Sequence, residues 1–342
     1  MKGWKKAILA VLCVLFLAVA VGAPAVVGIR PFIGPKVRPL TGRTFESTPA
    51  RLARGNYLVT TAQTPCVLCH SPLDTTGGLF KVKEGMELAG RNWEPDGTPF
   101  VTAPNLTPDR ETGIGDWSDD ALARAIREGI GHDGRVLFPI MPYEHYRYMS
   151  DEDLASIVVY LRSLKPIRNP LPKSAVPFPL SRLINAVPQP VVSRVTPDLS
   201  TPEKRGEYIA TLAICTDCHS PMDDKGNKAP GMQFAGGQTM VYRDFKSVAS
   251  ANLTPSPNGI PYYTEDLFIE TFRTGKVRSR ELSSMMPTRY FRNMTDQDLK
   301  DIFAYLKTLK PVDHYVDNAL PPTLCARCGL KHGGGDRNKK LG

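Results

Sequence analysis

The chain has 342 residues, 42% hydrophobic and 23% charged, with 31 prolines and a formal charge of +9. That length allows two domains of ordinary size, each with its own small core, and the globular composition excludes a chain disordered throughout. The positive balance suits acidic partners or an anionic surface, but solvated surface charge accounts for it equally well, and no nucleic-acid partner is expected.

The first element is N-terminal. MKGWKK supplies basic residues, and Ala7 to Ile29 then holds no charge, long enough to cross a bilayer once. A cleaved secretory signal ending near Ala18-Val19-Ala20 is the rival; the apolar run continues past it to Arg30. Residues 1–30 are therefore expected to be an N-terminal membrane anchor (or signal sequence). The positive-inside rule then puts the remainder on the exported, periplasmic face of a bacterial inner membrane. Cys13 reads as lipid-facing bulk.

A helix is predicted over 49–60, where Pro49 after Thr48 makes a good first turn. CVLCHSPLD follows at 66–74. After it come APNLTP at 103–108 and a helix opened by Ser118-Asp119-Asp120, with a hydroxyl at the N-cap and acids in the first turn. Ser150-x-x-Asp153 resembles a capping box with Asp in place of Glu. The helix it opens carries Leu154, Ile157, Val158 and Leu161 at helical spacing and stops at Pro166.

The segment 167–200 holds seven prolines, four basic residues and one acid. It is expected to be an extended, proline-rich linker between domains. The elements then return. Thr201-Pro202 opens a helix over 202–212, CTDCHSPMD occupies 215–223, SANLTP 250–255, and Thr264 and Thr295 cap two further helices. The offset between copies drifts only from 151 to 145, so one module is used twice. The domains expected are 45–166 and 201–312, both mostly helical, followed by a basic, glycine-rich and irregular tail over 313–342.

Cys-x-x-Cys-His is the spacing of a c-type haem attachment site: two cysteines add across the vinyl groups and the adjacent His ligates iron. Zinc sites and redox dithiols also use Cys-x-x-Cys, but neither needs the adjacent His. Two matches inside a repeat favour haem at both, on Cys66 and Cys69 and on Cys215 and Cys218, with His70 and His219 as ligands.

The repeat resembles the class I cytochrome c domain, over about 45–166 and 200–312. The fold class that the resemblance implies is all-α: two tandem helical bundles, each around one covalent haem, behind the N-terminal transmembrane helix. It also implies the distal iron ligands Met141 and Met286, each followed by proline and each before the last helix. Pro104-Asn105 and Ala251-Asn252 match a haem-pocket element whose first residue offers a carbonyl to the proximal His. Trp117 and Tyr263 fall at matching positions, for haem-edge cover or core packing. His132 and His145 have no partner in the second copy and read as surface residues.

His/Met ligation makes a six-coordinate, low-spin haem suited to one-electron transfer. The function expected is a membrane-anchored di-haem electron carrier, not an enzyme by itself. It resembles the cytochrome c subunits of membrane-bound dehydrogenases, and so is expected to be a subunit of a larger complex. The implied donor is a dehydrogenase or quinol-oxidising complex. The implied acceptor is an oxidase, reaction centre or soluble cytochrome. The alternative is a di-haem cytochrome c peroxidase-type enzyme with one open haem, drawing on His132, Glu144 or His145. A third reading is an assembly subunit whose haems are incidental. In the tail, Cys325 and Cys328 form CARCGLKH, with Gly329 where a haem motif has His. A local disulfide is the default. A four-ligand metal site with His314 and His332, or a third haem, are the alternatives.

Overall fold

The computed structural model describes residues 2–339, apart from 75, 77, 78, 94–97, 99, 224, 225 and 242–246. Helices run in chain order as α1 (Lys2–Val27), α2 (Arg30–Ile33), α3 (Pro49–Thr60), α4 (Cys66–Cys69) and α5 (Asp119–Glu128). Next come α6 (Tyr143–Tyr146), α7 (Asp151–Ser163), α8 (Leu180–Leu183), α9 (Pro202–Leu212) and α10 (Cys215–His219). The last three are α11 (Glu265–Thr274), α12 (Thr288–Phe291) and α13 (Asp296–Thr308).

The N-terminal expectation is corrected. Among the described residues no helix is long and apolar enough to cross a membrane, so the single N-terminal span is not supported, nor is the inner-membrane placement drawn from it. Helix α1 begins with lysines, stops at Val27 and holds Pro24, which removes a backbone hydrogen bond from the ladder. The helix ends two residues short of Ile29, where the uncharged stretch stops. Met1 and the side chains of 15–20, in the middle of that stretch, lie outside the described residues.

The chain divides into two compact units. The first takes residues 1–44, 117–147 and 174–193. Within it Arg38 grips Asp120 with two N–H···O bonds of 2.8 Å and Glu128 with one of 2.6 Å, tying its own segment to α5. Gly129 ends α5 in the left-handed region, and a Cβ there would lie 2.5 Å from the Tyr143 ring of α6. Part of the expected extended linker is helical instead: α8 and a 3-10 turn over 184–186 form behind Pro179 and bury Ile184.

The second unit takes 45–116, 148–173 and 194–342, and holds two helix pairs built alike. In each the helix starts are capped, at Ser150 and Thr295 as expected and also at Thr48 and Thr201 before the prolines. Thr48, Ser150, Thr201 and Thr295 accept from the N–H of Arg51, Asp153, Lys204 and Asp298. Helix α3 packs on α7 and α9 on α13. Leu154, Ile157, Val158 and Leu161 are 0–2% exposed, and Leu299, Ile302 and Leu306 are 0–3%. Each such side chain contributes about 1.5–3 kcal/mol on burial. The pairs meet where glycine allows it: a Cβ at Gly55 would lie 2.0 Å from the Ser156 carbonyl oxygen, and one at Gly206 1.8 Å from that of Asp301. Among the described residues four two-stranded antiparallel ladders complete the fold, one of them (Pro322–Leu324 with Lys331–Gly333) in the tail expected to be irregular.

The two pairs are joined by a reciprocal contact. The Tyr208 hydroxyl of α9 donates to Asp153 (2.6 Å) and accepts from the Ser150 N–H (3.0 Å) at the start of α7. Tyr57 of α3 donates to Asp298 and accepts from the Thr295 N–H (2.9 Å) at the start of α13. Asp is too short to close a capping box on its own, and the tyrosine of the other repeat relays the bond.

Tyr57→Phe and Tyr208→Phe are each expected to cost about 1–3 kcal/mol in a denaturant melt, because each leaves a helix-start N–H and a carboxylate short of a partner. Burial, then the Asp298 bond, pushes the Tyr57 hydroxyl up to about 12. A raised folded pKa gives stability that is complete below pH of about 10 and is lost as pH rises from there through the folded value of about 12. Alkaline melts of Tyr57→Phe should therefore fall less steeply above pH of about 10 than those of the parent; equal slopes would count against the relay.

Candidate haem sites

Both attachment segments are single helical turns that present two cysteines and a histidine on one side. In the first, the His70 N–H closes the turn on the Cys66 carbonyl (2.8 Å), and Cys66 and Cys69 are half-buried free thiols. His70 is 6% exposed, and its Nδ1 lies 2.8 Å from the Pro104 carbonyl oxygen. In the second, His219 Nδ1 lies 2.8 Å from the Ala251 carbonyl. A carbonyl can only accept, so Nδ1 carries the proton in both rings and Nε2 keeps its lone pair. Burial pushes His70 down to about 4 and lowers His219. Each imidazole is thus neutral at neutral pH, the form that ligates a metal.

Each ring is held by the same set of contacts. The His70 carbonyl accepts from Gly90 N–H (2.7 Å) and the His219 carbonyl from Gly236 N–H (2.8 Å). Ser71 and Ser220, both 0% exposed, accept from the N–H of Leu88 and Phe234. Those two residues have left-handed backbones at matching positions, offset by side chains 1% exposed. Asn105 and Asn252, expected in the pocket, act one step away. Asn105 donates to the Ile167 carbonyl (2.7 Å) and Asn252 to that of Val312 (2.8 Å), pinning the Pro104 and Ala251 segments to the chain just past the last helix of each repeat.

The residues fit a c-type haem by the chemistry of the donor set: two thiols for thioether bonds and an oriented, neutral imidazole beside them. The buried Trp93 indole N–H has no partner among the described residues. Arg91 stacks on that ring at 4.5 Å and reaches the Leu68 carbonyl, so the leftover donor lies beside the attachment turn, suited to a haem carboxylate.

The methionines are placed unequally. Met286 is half-buried and lies in the same unit as His219, whereas Met141 lies in the first unit and His70 in the second. The local turns are alike: the carbonyls of Met141 and Met286 accept from the N–H two residues on, at 2.8 and 2.7 Å. Met149 and Met294 are 0% and 2% exposed. Trp117 stacks on His132, and Tyr263 meets Tyr262 and Phe268.

Sequence reasoning missed Tyr290, which stands where the first repeat has His145. Its hydroxyl donates to the Phe80 carbonyl (2.8 Å), burial raises it to about 12, and Cys69 and Arg91 are among its electrostatic neighbours. Helix α12, just past Met286, is therefore tied by Tyr290 to Phe80 of the first repeat, within electrostatic reach of Cys69. The mismatch with His145 was the only trace of this in the sequence.

The family model for cytochrome c matches residues 203–310. The chain is 28% identical over 282 residues to the fructose dehydrogenase cytochrome subunit of Gluconobacter japonicus, covering 77% of this chain and 54% of that one. It is 29% identical over 287 residues to the gluconate 2-dehydrogenase cytochrome c subunit of Pantoea cypripedii, covering 78% and 62%. To a diheme cytochrome c-type protein of Cereibacter sphaeroides it is 26% identical over 258 residues, covering 72% and 83%. The chain thus spans about half to three fifths of the length of the two dehydrogenase subunits. Residues 203–310 are a cytochrome c domain, which carries c-type haem for electron transfer, and the chain resembles the cytochrome c subunits of dehydrogenases.

Proposed function

We propose that the chain is a di-haem electron carrier and the electron-transferring subunit of a dehydrogenase complex. Haem 1 is held by Cys66, Cys69 and His70 with Met141 as distal ligand, and haem 2 by Cys215, Cys218 and His219 with Met286. The observation that carries this reading is the histidine–carbonyl bond made twice, at 2.8 Å each, beside a cysteine pair. When bound, haem between His and Met changes charge by one electron without changing ligands.

The chain's own part is to hold each imidazole in one tautomer and to keep water from the ring. Tyr290 supports passage between the two sites, because it bonds the Met286 end of one repeat to Phe80 of the other, within electrostatic reach of Cys69. The donor proposed is the dehydrogenase, as the names of the relatives suggest, and the acceptor an oxidase or soluble cytochrome.

The test is electron paramagnetic resonance of the fully oxidised protein, quantified per chain. Two low-spin ferric haems and no high-spin signal are expected. A stoichiometric high-spin haem would remove Met141 or Met286 as a ligand and turn the reading towards a peroxidase-type enzyme.

A further inference from the structure

We infer that His314, Cys325, Cys328 and His332 form a structural zinc site that fastens the C-terminal tail to the second repeat. Their ligand atoms all lie within 4.8 Å of one another, and the four residues are 2%, 2%, 9% and 1% exposed. His314 Nε2 is 3.1 Å from His332 Nε2 and 3.5 Å from Cys325 Sγ. Tetrahedral zinc, with Zn–N of about 2.0–2.1 Å and Zn–S of about 2.3 Å, sets neighbouring ligand atoms roughly 3.3–3.8 Å apart.

The tautomers point the same way. His314 Nδ1 is 2.9 Å from the Ala235 carbonyl and His332 Nδ1 is 3.0 Å from the Gly333 carbonyl. Both Nδ1 atoms therefore donate, and two Nε2 lone pairs face each other in a buried space. Two acceptors at that distance repel unless a cation lies between them, and backbone carbonyls on the outer nitrogens are the usual support of metal-bound histidines. Gly329, at φ +76°, turns the chain back after Cys328: its N–H bonds the Cys325 carbonyl (2.9 Å), and the Cys325 N–H bonds the Leu330 carbonyl (2.8 Å). The spacing is His-x10-Cys-x2-Cys-x3-His, a donor set that selects zinc.

The two repeats show what was added. In the first, Asn169 donates to the Ala89 carbonyl (2.8 Å); in the second, His314 stands at the matching place, makes the matching bond to Ala235 and turns Nε2 inward. Gly237, at φ +87°, lets the loop lie flat on the pair, since a Cβ there would be 2.5 Å from His314 Cε1. The neighbouring Gly236 N–H holds the His219 carbonyl. The site thus braces the loop behind the second proximal histidine and leaves the haem ligands alone.

Elemental analysis of the purified full chain should give one zinc per polypeptide, and zinc-edge X-ray absorption should show two sulfurs near 2.3 Å and two nitrogens near 2.0–2.1 Å. His314→Asn, which restores the residue of the first repeat and can keep the Ala235 bond, and Cys328→Ser should each cut chelator-resistant zinc at least tenfold. A zinc-free native chain with a Cys325–Cys328 disulfide by mass would overturn the assignment, as would a third thioether-bound haem on that peptide or a zinc shell lacking sulfur. The wild-type measurements decide the matter even if a variant does not fold.

Discussion

Gly206→Ala is expected to unfold the second repeat well below the melting temperature of the parent. Helices α9 and α13 touch backbone to backbone at this residue, where the added Cβ would sit 1.8 Å from the Asp301 carbonyl oxygen and 2.8 Å from Tyr305 Cβ. A main-chain carbonyl inside a helix cannot rotate aside as a side chain can. The helices must separate, and the contacts of Leu212, Leu299 and Ile302 loosen with them. A cost of about 3 kcal/mol, at the top of the usual range for overpacking, follows. For a domain of about 100 residues that lowers the midpoint by roughly 12–24 °C. Gly55→Ala should act alike in the first repeat, through the Ser156 carbonyl at 2.0 Å, while Gly42→Ala, with nothing within 4 Å, should leave the midpoint unchanged. A shift of less than about 4 °C for Gly206→Ala would mean that the helix pair is not closely packed there.

The second large effect is expected at the proximal histidines. His219→Ala removes the imidazole that the Ala251 carbonyl holds at 2.8 Å, and His70→Ala the one held by Pro104. Each variant should lose about half of the low-spin ferric signal per chain, whether its haem stays on the cysteines or is lost, because no other oriented neutral imidazole borders either cysteine pair among the described residues. In a reductive titration the low-spin electrons accepted per chain should fall from two to one. Retention of both low-spin signals in His219→Ala would sink the assignment of that residue and with it the two-haem reading.

Much of this was legible because it is local. The hydroxyl caps Ser118, Ser150, Thr264 and Thr295, the prolines behind Thr48 and Thr201 and the buried stripe of α7 follow from spacing within one or two turns, and the structure has them where the residues put them. So too the attachment turns: Cys-x-x-Cys-His needs only five consecutive residues to set two thiols and an imidazole on one side. The Pro104 and Ala251 carbonyls were also reachable by laying one repeat on the other.

The N-terminal expectation rested on charge-free length alone, and among the described residues no helix is long and apolar enough to cross a membrane. The tail was expected to be irregular from its glycines, although the residues that order it, His314 and His332, are set apart from Cys325 and Cys328 and meet them only in the folded chain, against the Ala235–Gly237 loop.

By itself, the sequence determined the repeat, the helix pairs with their caps, and the two thiol–imidazole turns, because each depends on neighbours a few residues apart. Tertiary structure alone decided the rest. Tyr57 meets Asp298 across 241 residues and Tyr208 meets Asp153 across 55; Tyr290 finds Phe80 across 210. No period or spacing encodes such bonds. They form only when glycine-mediated helix packing has brought two repeats together and left each half-made capping box in reach of the other repeat's tyrosine.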